Sequence, residues 1–217
     1  MAAQKPSPYE FADLPLSPVD PGTNLLVAGP TLGGTREVLL RLLLGGDGVV
    51  VVTADTGARQ VLEAFEGLGG RRTDGVRVVD CTQEDTSGLG SGVATVGTPA
   101  DLTGIGIEYS NHYEQVYARG YDAVRTGIHT LTPLLVYSDE VRPVFRFVNT
   151  VTSRVRTADG LGLCAIDPEA HDDRVVGSVT QPFDGRIEVR EGETGPELRV
   201  QGLEDQPTTW TSADARA

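Results

Sequence analysis

Residues 23–40 read TNLLVAGPTLGGTREVLL, and this stretch indicates the class of fold. An apolar run is followed by a glycine-rich turn and then by the start of an amphipathic helix. A phosphate-binding loop of the pattern GxxxxGK[ST] is built in this order. Gly29 and Gly34 have the spacing of that pattern, but Thr35 occupies the lysine position and Arg36 the Ser/Thr position. The stretch is therefore a nucleotide site, the remains of one, or a strand-to-helix turn without a ligand.

The substitutions in this loop affect charge more than shape. In a working loop the backbone N–H groups cradle the phosphates, the lysine contacts them, and the Ser/Thr hydroxyl holds Mg²⁺. Gly29, Gly33 and Gly34 preserve the cradle, whereas Thr35 supplies no charge. Loss of a charge-assisted hydrogen bond of about 1.5–3 kcal/mol weakens binding by roughly one to two decades. Arg36 lies about 100° further around the helix, so we expect it to point away from the cradle.

The basic residues of the chain are 17 arginines and one lysine, Lys5, and the formal net charge is −13. Lys5 stands near the chain start and cannot replace the loop lysine. The acidic balance argues against a nucleic-acid-binding surface, which needs clustered Lys and Arg. An acidic surface almost without lysine suits a salt-rich cytoplasm, where self-repulsion is screened. High-GC codon usage would also replace lysine by arginine, so both explanations stay open.

The sequence predicts a protein without membrane insertion. The apolar runs 39–44 and 49–53 are much shorter than the roughly 20 residues of a membrane-spanning helix. The first 20 residues lack a basic segment followed by an apolar one, so we expect no secretory signal and a cytoplasmic location. Cys81 and Cys164 each lie in an apolar stretch. We expect buried free thiols there rather than a disulfide or a metal pair.

Short apolar runs alternate with helical patterns along the chain. The predicted strands are residues 24–28, 49–53, 77–80, 123–129 and 161–166, followed by a β-hairpin of residues 184–190 and 197–200. The predicted helices are residues 35–44, 56–68, 98–118 and 138–157. Thr98 and Pro99 have the form of an N-cap and a first helical position, and residues 82–97 are predicted as a surface loop. Such alternation predicts one α/β domain with a mainly parallel sheet.

Two further positions belong to the candidate nucleotide site. His129 ends the strand on which such a site carries an aspartate that holds Mg²⁺ through water. Neutral imidazole is a poor ligand for Mg²⁺, which prefers oxygen, and a hydrogen-bonded strand-end histidine is the alternative. Asp55 follows the strand 49–53, where a carboxylate can orient an attacking water. It also fits an ordinary helix-entry residue, so it is a low-ranking catalytic candidate.

Other polar residues favour structural roles, and we predict no metal site. Asp139 and Glu140 fit first-turn charges at a helix N-terminus. His112 and His171 have no spacing typical of a metal set. The run DPEAHDDR at residues 167–174 is acidic enough to suggest a cation, but a solvated loop that opens a helix is the favoured interpretation.

A resemblance extends over residues 20–203, in five blocks that follow one another in order. NLLVAGPTLGGTRE, VVVVTADTGARQVLEAF, GTPADLTGIGI, the block beginning VRTGIHTLTPLLVYSDE, and HDDRVVGSVTQPFDGRIEVRE resemble the RecA/KaiC-like P-loop proteins. They are most similar to a haloarchaeal branch labelled HTR-like or KaiC-type RecA-superfamily ATPase, and residues 131–191 are the most specific part. The resemblance implies a three-layer RecA-like core: a mostly parallel central sheet, helices on both faces and a C-terminal β-hairpin. It also implies ATP with Mg²⁺ at the carboxyl ends of the strands.

By position, the family's Walker A loop corresponds to Gly29, Pro30, Gly33, Gly34, Thr35 and Arg36, with two intervening residues. Its Walker B strand end corresponds to residues 128–130, and Asp55 lies near its catalytic carboxylate. The Walker lysine is Thr35 and the Walker B aspartate is His129, so both charged anchors are absent together. Two coincident losses indicate a degenerate site no longer used for hydrolysis. No cofactor is certain, and ATP with Mg²⁺ stays an implication of the resemblance.

Three hypotheses follow. The preferred one is a catalytically inactive RecA/KaiC-like domain at residues 21–203 with a regulatory or scaffolding role, preceded by an extended lead-in at 1–20 and followed by a flexible tail at 204–217. The second is an atypical ATPase in which Arg36 and Asp55 replace the usual groups. The third, a DNA-associated module, is disfavoured by the acidic charge. The resemblance implies association with itself or a RecA/KaiC-like relative, and the apolar residues 131–137 are the candidate surface, unless they pack under the next helix.

Overall fold

The computed structural model of the protein describes residues 7–11, 13–46, 48–71, 75–121 and 123–214. Its strands are β1 (Asn24–Ala28), β2 (Gly48–Thr53), β3 (Val76–Asp80), β4 (Val93–Thr95), β5 (Val124–His129), β6 (Leu161–Ile166), β7 (Gly185–Glu191), β8 (Pro196–Gln201) and β9 (Thr211–Ser212). Its α-helices are α1 (Thr35–Leu43), α2 (Ala58–Gly67), α3 (Leu102–Ala118), α4 (Leu131–Val136), α5 (Val141–Thr157) and α6 (Asp173–Thr180). A short 3₁₀ helix, Pro168–Ala170, precedes α6.

The described strands form one sheet in the order β4-β3-β2-β5-β6-β1-β7-β8-β9. The pairs from β4 to β7 are parallel, and β8 and β9 add antiparallel to that edge. Every residue of the central strands β1, β2, β5 and β6 is buried. Parallel strands covered on both faces consist of such continuous apolar runs. The predicted three-layer α/β fold, with its mostly parallel sheet and C-terminal hairpin, is confirmed.

Successive residues of each strand enter opposite cores, because side chains alternate across a sheet. On β1, Leu25 and Val27 pack in the core that contains α1 and α2. Leu26 and Ala28 pack in the second core, with buried residues of α3, α4, α5 and α6. The α-helices of the described residues therefore divide into two on one face of the sheet and four on the other.

Three local predictions need correction. The predicted surface loop 82–97 contains β4, whose residues are half-buried or exposed and so lack the apolar signature of a strand. The third helix begins after Asp101 rather than Thr98, because the Asp101 carboxylate accepts the N–H of Gly104 at 2.8 Å. The predicted helix 138–157 begins only at Val141, and the preceding helix α4 was not predicted.

The N-terminal lead-in is held at the amino ends of the strands by a buried arginine on β5. Arg125 donates to the carbonyl of Leu42 at 2.6 Å and to that of Glu10 at 2.9 Å. Its guanidinium also lies over the rings of Tyr9 and Phe11, 5.5 and 5.7 Å from their centroids. Burial lowers the pKa of Arg125. Residues 1–6 of the predicted lead-in, Lys5 included, lie outside the described residues.

The chain after residue 203 packs against the hairpin edge. Strand β9 pairs with β8, and Asp214 forms an ion pair with Arg41 at 2.6 Å. The guanidinium groups of Arg190 and Arg199 lie over the ring of Trp210, 4.3 and 4.6 Å from its centroid. This part of the chain is thus anchored up to residue 214, where the sequence predicts a flexible tail from 204. Residues 215–217 lie outside the described residues.

The two cysteines are buried and free, as predicted. Burial raises the pKa of Cys81 to about 12 and also raises that of Cys164, so both thiols stay protonated at neutral pH. In the described part of the chain, no helix is long and apolar enough to cross a membrane.

Candidate functional site

The sheet has two crevices at the carboxyl ends of its strands. The chain leaves β1 and β2 toward α1 and α2 on one face, and leaves β5 and β6 toward helices on the other face. Because β1 neighbours β6 and β2 neighbours β5, each of these pairs diverges at its carboxyl end. Ligands of open α/β sheets bind at such switch points. The glycine loop lies at the first crevice, and the residues around His129 lie at the second.

The glycine loop between β1 and α1 is closed by its own hydrogen bonds. The N–H of Gly29 donates to the carbonyl of Ile166 at 3.1 Å, which ties the loop entrance to β6. The carbonyl of Pro30 accepts the N–H of Gly33 at 3.0 Å and the hydroxyl of Thr35 at 3.0 Å. The side chain at the Walker lysine position therefore bonds inward, to the loop itself.

The glycines of this loop meet packing requirements that involve no ligand. A Cβ on Gly29 would overlap the carbonyl oxygen of Val189 on β7 and lie 2.6 Å from Oγ1 of Thr35. Gly34 has φ of 86°, and a Cβ there would lie 2.6 Å from Cβ of Pro196 on β8. Left-handed backbone and close approach both favour glycine. The hairpin β7–β8 thus requires glycine at both positions.

A carboxylate from the end of β6 occupies the mouth of the loop. Oδ2 of Asp167 accepts the N–H of Thr31 at 3.0 Å and the Thr31 hydroxyl at 2.9 Å. Oδ1 of Asp167 accepts the N–H of Glu169, and the N–H of Asp167 donates to the hydroxyl of Thr132, both at 3.0 Å. An anionic group is therefore already bound at the loop, and it belongs to the protein. The sequence assigned the run 167–174 to a solvated loop, and nothing local in it marks this contact.

The side chains of Thr35 and Arg36, which the sequence aligned with the Walker lysine and Ser/Thr, point in different directions. Thr35 is buried at the start of α1. Nη2 of Arg36 lies 3.3 Å from the carbonyl of Gln60 on α2, so the guanidinium extends along the helical layer. Leu32, at the tip of the loop, is 95% exposed. The loop therefore presents an apolar side chain to solvent and no cation toward its own interior.

At the second crevice, His129 and Asp55 lie against each other. Nδ1 of His129 is 2.8 Å from Oδ1 of Asp55, which is ion-pair distance without the angle of a hydrogen bond. The His129 side chain is almost fully buried, whereas Asp55 is about one-quarter exposed. The N–H of Ala54 donates to the His129 carbonyl at 2.8 Å, and a cis peptide bond joins His129 to Thr130. The structure thus brings together two residues that the sequence placed at the same edge.

Asp80 is a third carboxylate at the carboxyl ends of the strands, after Asp167 and Asp55, and it was not among the predicted site residues. Asp80 ends β3 and is buried, and its Oδ2 accepts the N–H of Ala58 in the first turn of α2 at 2.6 Å. Its Oδ1 accepts the N–H and the hydroxyl of Thr82, at 2.8 and 2.7 Å. With these bonds formed, Asp80 is a helix-capping residue. Its position at the end of the strand RVVD is the sequence signal that could have indicated it.

The remaining candidates lie apart from the two crevices or serve as helix entries. Glu140 is the N-cap residue of α5 and directly follows Asp139. His112 is buried on α3, and its pKa is lowered by burial and by the neighbouring Arg77. Burial also lowers the pKa of His171, against the opposing effect of Asp167. Among the described residues no group of three or more His, Cys, Asp or Glu could hold a metal ion.

ATP with Mg²⁺ does not fit this arrangement. The Thr31 N–H and the Thr35 hydroxyl, which face the loop, are already bonded to Asp167 and Pro30. At the strand end where Mg²⁺ would need an oxygen ligand, the side chain is the imidazole of His129, paired with Asp55. A nucleotide would have to displace the Asp167 carboxylate and would still meet no lysine.

Fold and loop together define an α/β domain with a RecA-like fold. The chain is similar to the solved KaiC-like protein PH0186 of Pyrococcus horikoshii OT3, with 13% identity, a TM-score of 0.64, and coverage of 95% of this chain and 93% of that one. It is similar to the flagellar accessory protein FlaH of Methanocaldococcus jannaschii, with 11% identity, a TM-score of 0.53, and coverage of 84% and 78%. An uncharacterized P. horikoshii protein, PH0321, solved with an unknown peptide, gives 16% identity, a TM-score of 0.57 and 84% of each chain.

At these identities the similarity is one of fold. The chain belongs to the family of unknown function DUF7504, which matches residues 22–189. No curated protein sequence matches the chain.

Proposed function

We propose that this protein is a catalytically inactive RecA/KaiC-like domain with a regulatory or scaffolding role. The observation that carries the proposal is the closed glycine loop, whose mouth holds the Asp167 carboxylate on Thr31. Removing the lysine from a phosphate site lowers affinity, and an internal carboxylate adds competition and charge repulsion against a phosphate. Hydrolysis additionally needs a metal held near the phosphates, and His129 is a poor ligand for Mg²⁺.

The test is nucleotide binding and turnover by the purified chain, in molar KCl with Mg²⁺. We expect ATP and GTP hydrolysis equal to the buffer background, and no saturable binding of a fluorescent ATP analogue. Thr35→Lys alone should not restore turnover, because the metal position at His129 is unchanged. The double variant Thr35→Lys, His129→Asp is the smallest change worth assaying for recovery. Robust turnover by the unmodified chain would overturn the proposal.

An atypical ATPase is the second candidate, and the Asp55–His129 pair favours it. A carboxylate held against an imidazole at a switch point has the geometry of a proton acceptor for water. If this candidate is right, turnover should be measurable and should fall on Asp55→Asn or Arg36→Ala. The two candidates are thus separated by activity in the unmodified chain and by its dependence on these two residues.

We propose that a scaffolding role uses the same edge of the sheet. Of the predicted surface 131–137, Leu131, Leu134 and Leu135 are buried under the sheet edge, whereas Val136 and Tyr137 are each 63% exposed. Leu32 exposes a further apolar side chain on the neighbouring loop region. Together Leu32, Val136 and Tyr137 form the candidate contact for a second copy or a RecA/KaiC-like relative.

Self-association is measured by light scattering in molar KCl, where hydrophobic contacts persist and acidic repulsion is screened. We expect a species larger than a monomer, and a monomer after Leu32→Ser with Tyr137→Ser. A strictly monomeric unmodified chain that retains no RecA/KaiC-like partner from cell extract would remove this part of the proposal. We further propose, from the charge of −13, a salt-rich cytoplasm and no nucleic-acid partner.

A further inference from the structure

A groove runs between α3 and α5 on the outer surface of the domain. Its volume is about 600 Å³, and its walls include Gly106 and Ile107 of α3 and Pro143, Arg146 and Phe147 of α5. Ile107 is 53% exposed, although it is a large aliphatic residue on a helix packed in the domain. Gly106 leaves space in the wall, since a Cβ there would come no closer than 4.0 Å to Phe147. The groove is therefore open to solvent, and its lining combines these apolar residues with the polar residues Thr103, Ser110, Asn111 and Thr150.

The charge along this groove is opposite to that of the protein as a whole. Helix α5 contains four arginines and no carboxylate, in a chain of net charge −13. Arg154 is bonded to Ser110 and Glu114, and Arg156 is paired with Asp184. Neither carboxylate of α3 lines the groove: Glu114 pairs with Arg154, and Glu108 lies near the buried His112.

Of the other two arginines of α5, Arg146 lines the groove and Arg142 lies just beyond its lining residues. Arg142 and Arg146 are one helical turn apart and both exposed. Within the described part of the chain, neither guanidinium has an ion pair or a hydrogen bond, and their nearest carboxylates along the chain, Asp139 and Glu140, do not pair with them. A groove with one unpaired arginine in its lining and a second arginine one helical turn away favours an anionic partner over a cationic one.

We propose that the α3–α5 groove binds an acidic amphipathic helix of a partner protein, with carboxylates on Arg142 and Arg146 and an apolar edge on Ile107 and Phe147. The groove extends from residue 102 to residue 111 along α3, which at 1.5 Å per residue is about 14 Å. That length accommodates two to three helical turns, the usual span of helix-in-groove recognition. A nucleic acid would also be anionic, but its binding needs clustered Lys and Arg, whereas this groove offers one lining arginine and a second one turn away. This inference concerns the outer face of α3 and α5, not the candidate site at the carboxyl ends of the strands. It does not depend on whether a nucleotide binds there.

The probe is a fluorescein-labelled synthetic helix of about 14 residues with leucines at helical spacing and glutamates elsewhere. Its anisotropy is measured against the full chain in about 0.15 M KCl, and again in molar KCl, where the Debye length falls to about 3 Å. We expect saturable binding that weakens in high salt, and binding about tenfold weaker for the same peptide with glutamine in place of glutamate.

Single charge reversals locate the site. Arg146→Glu and Arg142→Glu should each weaken the acidic peptide about tenfold, and Ile107→Ser should weaken it in both salts. The matched control is Arg174→Glu on α6, an exposed arginine outside the groove, which should leave binding unchanged. All of these positions are exposed, so thermal melts should match the unmodified chain. No binding of the acidic peptide, equal binding of the glutamine peptide, or equal losses from Arg174→Glu and Arg146→Glu would each overturn the proposal.

Discussion

The contact between Asp167 and Thr31 gives a prediction whose size follows from its geometry. Asp167→Ala removes two hydrogen bonds from Thr31, at 3.0 and 2.9 Å, and one from the Glu169 N–H at 3.0 Å. The net contribution of one hydrogen bond to stability is about 0.5–1.5 kcal/mol, and water replaces part of each lost bond at this solvent-accessible position. We therefore expect a loss of about 1–2 kcal/mol in the free energy of unfolding. For a chain of this size that lowers Tm by roughly 2–8 °C.

A double-mutant cycle isolates the contact from other effects of the substitution. Thr31→Val deletes only the hydroxyl bond and keeps the backbone donor, so we expect a loss of about 0.5–1 kcal/mol. The coupling energy between Thr31→Val and Asp167→Ala should be about 0.5–1 kcal/mol, measured by urea unfolding. A coupling energy within error of zero, with all variants folded, would show that the carboxylate does not hold the loop.

The same contact predicts how nucleotide binding responds. Asp167→Ala frees the Thr31 donor but supplies no cation, so we expect no ATP binding from this change alone. Asp167→Ala combined with Thr35→Lys should bind ATP about 10- to 100-fold more tightly than Thr35→Lys alone. In the double variant the phosphate meets the lysine and no longer competes with the Asp167 carboxylate for the Thr31 donors. Equal affinities of the single and double variants, measured with a fluorescent ATP analogue, would refute the reasoning.

Three further predictions concern buried polar residues. Burial lowers the pKa of His112 below 6.5, so the unfolded state binds more protons than the folded state at acidic pH. Stability should therefore fall as pH drops below about 6.5, and His112→Leu should reduce the dependence of Tm on pH between pH 7 and pH 5. Arg125→Met leaves two carbonyl acceptors without their donor and should cost about 2–4 kcal/mol in urea unfolding, with faster chymotryptic cleavage at Tyr9. Asp80→Ala leaves three donors unpaired and should cost about 3 kcal/mol or more, whereas a surface control, Glu169→Ala, should cost under about 0.5 kcal/mol.

The fold was predictable because the central strands are apolar on both faces. Residues 49–52 are four consecutive valines, which only a doubly covered strand can bury. Strand β4 gave no such signal, since it lies at the sheet edge with half-buried and exposed residues. Helix α4 has six residues with Pro133 in its first turn, so it offers neither length nor periodicity to a sequence pattern.

The sequence predicted where in the fold the candidate site lies, but not all of the side-chain contacts within it. Carboxyl ends of parallel strands meet at one edge, so the loop after β1 and the residues Asp55 and His129 were expected near one another. The bond from Thr31 to Asp167 joins residues 136 positions apart in the chain. A contact of that range depends on the register of β1 beside β6 and on the turn after β6, and neither is encoded near the glycine loop. The groove between α3 and α5 was likewise not predictable, because it requires the relative positions of two helices.

The glycine pattern of the loop and the charged residues of a phosphate site are subject to different physical constraints, so the presence of the glycines does not require a lysine. Gly29 is required by the carbonyl of Val189, and Gly34 by its left-handed backbone beside Pro196, so both are fixed by the way the hairpin β7–β8 packs on the loop. Replacing either residue strains the fold, whether or not a phosphate is ever bound. A lysine at position 35 has no such packing role, since its charge is useful only to an anionic ligand. The presence of GxxxxG therefore supports the fold, and it is the residues at positions 35, 129 and 167 that carry information about nucleotide chemistry.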